Sequence, residues 1–302
     1  MSTIFCTANY ANKVLDMMAK GQAAAINTLV LVGVKNIDEE LKARAESQCI
    51  TLRTFEQVMT VGKNNPNSPR TVPKPEDVFV FSYTSGTTGD SKGVKLSHLN
   101  YLASAKAGIR FFDLTPGESV LSYLPFAHCY EQGMFTISLV VGLKIGFFQG
   151  NPLKLIEDCA TLKPVLFPSV PRLFNKLYSA IKGKFDQATG CKRFLLNAAL
   201  SAKQANLDAS GAVTHCCWDR IIFNKAAGIL GGKVRWMFTG SAPIDKQVLD
   251  FMKICFSCPI VEGYGLTESG ASGTSMKPED TVMGHVGGPG ETMKMRVRSI
   301  PD

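Results

Sequence analysis

The 302-residue sequence predicts an α/β fold, with central, mostly parallel sheets flanked by helices. Two observations point there. The chain opens on a strand–helix–strand–helix–strand alternation, and it returns to one near its end in VRWMFTG, IDKQVLDFMKICF and PIVEGYG. With 45% hydrophobic and 19% charged residues it can also bury the core that such layers need.

Taken in order, STIFCT and TLVLVG read as buried strands, and ANKVLDMMAKG between them shows helical spacing at Val14, Met17 and Met18. DEELKARAESQ, from Asp38, is a polar-faced helix, and CITL is a third strand. GKNNPNSPRTVPKPED, rich in Pro, Asn and Lys, is a loop. VFVFSYT and VKLS bracket a glycine loop, after which Ser97 can cap a helix beginning HLNYLASAKAG. VLSYLPF is a further strand, and SLVVGLKIGFF and PVLFPSVP are apolar segments. Pro171-Arg172 opens a helix with Leu173, Phe174, Leu177, Ile181 and Phe185 on one side. The run from Lys192 to Ala209 is a long helix and WDRIIFNKAAGIL another. No internal repeat interrupts this order.

The net charge of +8 is scattered and densest between Lys176 and Lys203. It reads as solvated helix faces, with attraction to an anionic ligand or a membrane surface as the sharper alternative. Nothing resembles a nucleic-acid-reading motif. Nine cysteines, mostly in apolar runs such as LIEDCATL, suit an intracellular protein with reduced thiols. His215, Cys216 and Cys217, with Cys255 and Cys258, offer soft ligands for zinc, but adjacent cysteines chelate poorly and Cys255 closes an apolar helix face. The N-terminal residues lack the continuous apolar region of a signal peptide, and no run long enough to span a membrane occurs.

Three segments hold most of the chemistry. The first, YTSGTTGDSKG (Tyr83 to Gly93), surrounds Lys92 with glycines and hydroxyls, an inventory suited to a polyphosphate. Its spacing is not that of the common phosphate loop, and VKLS follows it before any helix. The second, LPFAHCYEQG, places His128 after a proline-containing turn at a strand end. The third is TGSAP (Thr239 to Pro243) followed by EGYGLTESG (Glu262 to Gly270), again at strand ends, where ligands of parallel sheets collect. EGYGLTE supplies an aromatic face able to stack on a base, glycines for close approach, a hydroxyl, and a carboxylate able to hold Mg²⁺. Singly, each has a plain explanation as a linker, a structural histidine or a helix-start carboxylate. Their joint order does not.

YTSGTTGDSKG, TGSAP and GYGLTE together resemble the adenylate-forming superfamily of acyl-CoA synthetases, luciferases and peptide-synthetase adenylation domains. SYLPFAHCYE, KIGFFQGN, FPSVPRLFNKLY, CWDRIIFNK and GHVGGP are similar to eukaryotic long-chain fatty-acid–CoA ligases. The resemblance implies that residues 1–302 are a partial AMP-binding domain, the large N-terminal domain of that fold, without its C-terminal lid domain. It also implies a loop of Thr84, Ser85, Gly86, Thr87, Thr88, Gly89 and Lys92 wrapped around the β- and γ-phosphates of ATP. Thr84 and Glu268 would serve Mg²⁺, Tyr264 would stack on adenine beside Gly265, and Thr267 would contact phosphate. His128 would line the junction of the acyl and nucleotide sites, with Gly240 and Gly263 helping to form the acyl channel. Lys92, His128, Thr267 and Glu268 are thus the expected catalytic set. One departure is visible: Ser91 stands where the family usually carries proline before the loop lysine, which implies a looser loop with unchanged chemistry.

The implied reaction has two steps. A long-chain fatty carboxylate attacks the α-phosphate of ATP to give acyl-adenylate and pyrophosphate, and coenzyme A then displaces AMP to form the thioester. The ribose-binding Asp and the lid lysine of the family are expected beyond Asp302, and much of the N-terminal subdomain before Met1. The chain alone is therefore expected to be poorly soluble and nearly inactive, its longer form lying at the surface of the endoplasmic reticulum or another organelle. Two rivals stand beside this reading: an adenylate-forming enzyme for another carboxylate, and a non-catalytic nucleotide- or acyl-binding remnant.

Overall fold

A computed structural model describes residues 2–84, 90–109, 111–280, 282 and 284–299. The chain divides into two units, residues 1–72 and 73–302.

In the first unit, β1 (Thr3–Cys6), β2 (Thr28–Leu31) and β3 (Thr51–Thr54) form a parallel sheet in the order β1-β2-β3, as the alternating pattern predicts. Only the central strand is mostly buried, from Leu29 to Leu31. TLVL lies between two partners, whereas β1 is an edge whose Phe5 is exposed, contrary to the expectation for STIFCT. Helix α1 (Ala8–Ala19) turns Ala11 and Leu15 into the core, with Val14 and Met18 beside them, and leaves Met17 in solvent. The 3.6-residue period from Ala11 selects 14, 15 and 18 and passes over 17. Asp38 caps α2 (Glu39–Glu46) by accepting the Glu40 and Leu41 N–H groups. A helix absent from the sequence reading, α3 (Phe55–Asn64), starts at a capping box between Thr54 and Gln57 and takes the first residues of the expected GKNNPN loop.

The second unit begins with an antiparallel hairpin, β4 (Val78–Thr84) and β5 (Lys92–Ser97). Ser97 caps α4 (His98–Ile109) as expected, its hydroxyl accepting the Asn100 N–H while Asn100 Oδ1 accepts the Ser97 N–H. Next come β6 (Ser119–Ser122), α5 (Cys129–Val141), β7 (Lys144–Phe147), α6 (Leu155–Leu162), β8 (Leu166–Ser169) and α7 (Pro171–Asp186). Helix α8 (Gly190–Ser210) is followed by residues 216–230, of which the sequence reads 218–230 as one helix. They form instead α9 (Cys216–Trp218), a π turn (Asp219–Phe223), α10 (Asn224–Ala227) and a 3-10 turn (Gly228–Leu230). β9 (Trp236–Thr239), α11 (Lys246–Phe256), β10 (Ile260–Tyr264), β11 (Thr274–Ser275) and β12 (Gly288–Pro289) complete the order.

The sheet runs β12-β11-β10-β9-β8-β6-β7, parallel from β10 to β7, with β11 and β12 antiparallel at one edge. Each face has its own core. Phe167 and Met237 meet Phe174, Leu249 and Met252 of α7 and α11 on one side; Val120 and Leu166 meet Tyr130, Met134 and Ile137 of α5 on the other. Successive residues of a strand point to opposite faces, so Met237 joins the first core and Phe238 packs against the second.

The first core contains a charge. Lys203 of α8 is fully buried, and its Nζ donates to Asp219, to the Ile254 carbonyl (2.7 Å) and to the Ser257 hydroxyl (2.7 Å), above the Phe223 ring. Cys255 and Cys258, weighed as metal ligands from sequence, flank this ammonium as buried thiols; burial pushes Cys258 up to about 12. His215 turns to its own backbone, Nδ1 accepting the Cys217 and Trp218 N–H groups. Burial opposes ionisation of Asp219, but Lys203, the His215 N–H and the Ser257 hydroxyl outweigh it and hold the carboxyl below the usual range. A carboxyl depressed in the folded state adds stability above its unfolded pKa and forfeits it as pH falls through the folded value. Lys203→Met therefore costs about 3–5 kcal/mol by chemical denaturation at neutral pH, because it strands Asp219. The deficit relative to wild type should shrink below the ordinary carboxylate range. A loss under about 1 kcal/mol, or one independent of pH, would contradict the role given to this pair.

Candidate functional site

Helix α5 is the element that organises the site, and the sequence reading passed over it. Its first six residues, Cys129 to Met134, are all buried, so no polar face alternates with an apolar one. His128 is its N-cap, with Nδ1 accepting the Tyr130 N–H (3.1 Å). Nδ1 is thereby an acceptor, and the His128 side chain as a whole is exposed. Tyr130 is buried, its hydroxyl donating to the Phe238 carbonyl (3.0 Å) with Ser169 O at 3.4 Å, so α5 is tied to the ends of β8 and β9. Glu131 accepts from Ser122 at the end of β6, and burial raises its carboxyl pKa.

Opposite α5 stands the turn after β10. Gly265 is required there, because a Cβ would lie 2.2 Å from the Ala271 carbonyl. The chain folds back through a 3-10 turn, Thr267–Ser269, closed by Ser269 Oγ on the Leu266 N–H (3.0 Å). This brings Thr267 Oγ1 to 3.8 Å from the Cys129 thiol, beside His128. The thiol is raised first by burial and further by the nearby Glu268 charge, despite hydrogen bonds from Thr267 and the backbone. His128, Thr267 and Glu268 thus share one mouth, and Tyr264 stands exposed at its edge.

Thr84 and Lys92 face each other at the last pair of the β4–β5 hairpin, with Thr84 Oγ1 3.5 Å from the Lys92 carbonyl. Strand β5 runs beside the Thr267–Ser269 turn, and Ser104 of α4 approaches the same turn at Ser269. Ser85, Gly86, Thr87, Thr88 and Gly89 lie outside the described residues. Gly240 and Gly263 sit at adjacent strand ends, where a Cβ on Gly240 would come within 3.1 Å of the Gly263 carbonyl and one on Gly263 within 2.6 Å of the Phe238 ring.

Behind the mouth is a cavity of about 540 Å³, within the usual range for small-molecule sites. Tyr130, Gly133, Met134 and Ile137 form one wall, at the i, i+3, i+4, i+7 spacing of a single helix face. Phe238, the chain from Gly270 to Ser275, and Gly108, Phe111 and Phe112 form the others. The sequence reading had assigned an acyl channel to Gly240 and Gly263. Neither glycine is among the residues that line this cavity, and α5, buried on several sides, offers no polar–apolar alternation from which its wall could have been read.

No group of three or more His, Cys, Asp or Glu gathers for a metal among the described residues, but Glu268 and Thr267 offer oxygen donors to a cation that phosphate oxygens would also ligate. Glu268 is exposed and makes no hydrogen bond among the described residues, and the Thr267 hydroxyl adjoins it. Hard oxygen donors with room for phosphate suit Mg²⁺. No helix among the described residues is long and apolar enough to cross a membrane.

Residues 3–301 match the family described as AMP-binding enzyme. Long chain acyl-CoA synthetase 6, peroxisomal, of Arabidopsis thaliana is 35% identical over 307 residues, covering 100% of this chain and 42% of that protein. Long-chain-fatty-acid–CoA ligase 5 of Mus musculus is 36% identical over 300 residues, covering 98% of this chain and 43% of that protein. The chain therefore spans less than half the length of these curated relatives. Among solved structures, the inhibitor-bound N-terminal domain of FACL13 from Mycobacterium tuberculosis superposes with a TM-score of 0.61 at 16% identity, over 96% of this chain and 63% of that one. That likeness shows the fold.

Two glycines of the site should respond oppositely to alanine. Gly133 lies in a helix interior, and an added Cβ would meet only the Gly270 carbonyl at 3.8 Å. Gly133→Ala is expected to stabilise the chain by about 0.5–1 kcal/mol. Gly265→Ala must displace backbone and is expected to destabilise by at least about 2 kcal/mol. Equal thermal shifts for the two variants would show that the 264–273 turn is not held as described.

Proposed function

Since the chain belongs to the AMP-binding enzyme family, we propose that the mouth and the cavity are the nucleotide and acyl halves of a site that activates long-chain fatty acids to acyl-CoA. One observation carries the reading. The same two segments, 128–137 and 264–275, build both the polar mouth and the mainly apolar wall of the cavity, which Lys277, Asp280, His285 and Glu291 also border, so a carboxylate whose chain lies along that wall would present its oxygens at the mouth.

On this reading the chain supplies binding and orientation. The loop between Thr84 and Lys92 holds the β- and γ-phosphates of ATP, with Lys92 as the cation and the loop N–H groups as donors. Tyr264 stacks on adenine, Thr267 donates to phosphate, and His128 Nε2 faces the junction where carboxylate and α-phosphate meet. Mg²⁺, held by Glu268 with Thr84 nearby, would neutralise phosphate charge. A carboxylate is a weak nucleophile, so the gain comes from fixing it in line behind the α-phosphorus and from fixed dipoles around the developing charge. Attack forms the acyl–phosphate bond and expels pyrophosphate. The thiolate of coenzyme A then forms the thioester and expels AMP. The buried wall along α5 takes the hydrocarbon out of water, at about 0.8 kcal/mol for each methylene.

The test is nucleotide and acyl binding by the chain. Lys92→Ala should weaken MgATP binding by about 10- to 150-fold, the loss of one charge-assisted hydrogen bond worth about 1.5–3 kcal/mol. Unchanged affinity by titration calorimetry would remove Lys92 from the site. Glu268→Gln should shift the Mg²⁺ requirement for nucleotide binding upward, because an amide oxygen is the weaker ligand for a hard cation. A Mg²⁺ titration superimposable on wild type would return Glu268 to a turn-start carboxylate favoured by the local dipole.

A further inference from the structure

The cavity ends at a partition, and a second space lies behind it. Along its depth the walls pass from Gly270 and Ser104 at the mouth, where Ser104 Oγ is 3.4 Å from the Ser269 carbonyl, to Ile137 and Gly108 further in. There the Ile137 side chain fills the space a Gly108 Cβ would need. The far end is Phe111 and Phe112, which leave α4 through a turn in which both N–H groups donate to the Gly108 carbonyl. The Phe112 ring packs edge-on against both Trp236 and Phe238, and so stands toward the start of β9, away from the mouth at its end. From Trp236 to Gly240 the strand covers about 13 Å, at about 3.3 Å per residue.

Phe111 and Phe112 also line an outer cleft of about 570 Å³, together with Ile109, Leu114 and Trp236. Exposed Asp113, Lys277 and Glu279 edge that cleft. Phe112 is 4% exposed and held between two aromatic neighbours, whereas Phe111 is half-buried. Of the two rings, Phe111 is the less enclosed, its one aromatic contact being edge-on to Phe112 at 5.4 Å.

We propose that Phe111 is a specificity-determining residue: it gauges chain length at the end of the acyl cavity, and longer chains continue past it into the cleft beside Trp236. The inference rests on the acyl reading of the cavity. Each methylene buried before Phe111 should tighten binding about fourfold, as its transfer from water implies. Beyond Phe111 the cleft is more open than the cavity, so the increment per methylene falls.

The two tryptophans are Trp218 and Trp236, so Trp218→Phe leaves one reporter beside the partition. Titrating that protein with stearate carrying a doxyl group at carbon 5 or carbon 16 reads where the tail lies. Quenching of Trp236 is expected to be at least about twofold stronger from carbon 16. In parallel, affinities for twelve- to eighteen-carbon fatty acids are measured by displacement of a bound fluorescent fatty acid. Phe111→Ala should raise the preference for eighteen over twelve carbons by about fivefold, and Phe111→Leu by less. Equal quenching from both positions, or a chain-length profile unmoved by either substitution, overturns the gauge while leaving the acyl site standing. No binding of any fatty acid overturns the acyl reading itself. The doxyl comparison needs no change at Phe111, so a poorly folded variant does not shield the proposal.

Discussion

The buried hydroxyl of Tyr130 is the contact on which the site depends. It joins the first turn of α5 to the carbonyl of Phe238, with that of Ser169 close by, at the ends of two parallel strands. The strand carbonyls already belong to the sheet ladder, and each has a second lone pair; the buried phenol, which would be costly left unpaired, finds its acceptor there. Once Tyr130 is placed, the helix has no freedom left to rotate. His128 must sit at the mouth, and Gly133, Met134 and Ile137 must face the cavity.

The opposite wall is placed by steric exclusion. Gly265 and Gly273 let the chain double back so closely that a Cβ on either would overlap a carbonyl, at 2.2 Å from Ala271 O and 2.6 Å from Tyr264 O. The cost is carried by Ala271, a non-glycine residue at φ 64°, which lines the cavity. Ser241, after β9, is likewise left-handed at φ 72°. Strain of this kind is retained where surrounding contacts over-determine the backbone, and here it brackets the two strand ends that carry the glycine-rich motifs.

The other face of the sheet is built for stability. Lys203 occupies the junction of α8, α11 and residues 216–230, and its three acceptors come from two separate stretches of chain, Asp219 and the end of α11 at Ile254 and Ser257. The irregular helix there follows from it: a π turn at Asp219–Phe223 lets Asp219 reach the ammonium while Phe223 lies beneath it. Of the residues that look like a metal set in one dimension, His215 is committed to a helix cap and Cys255 and Cys258 to the core beside the ammonium, while Cys216 and Cys217 are exposed.

Composition and local pattern determined a good deal. Much of the strand–helix order, though not α3 or α5, the caps at Asp38 and Ser97, the apolar face of α7 and the glycine-rich strand ends follow from period, capping chemistry and turn residues, which act within a few neighbours. Tertiary structure decided the rest. Helix α5 carries no amphipathic signal because its first two turns are buried all round, and a segment buried on every side has no period to read. Which strand of the first unit became an edge, and which thiols lie beside an ammonium, depended on neighbours distant in sequence. The cavity is the clearest case. Its lining draws on residues 104–112, 130–137, 238 and 270–291, and no local rule relates those stretches until a parallel sheet brings their ends together.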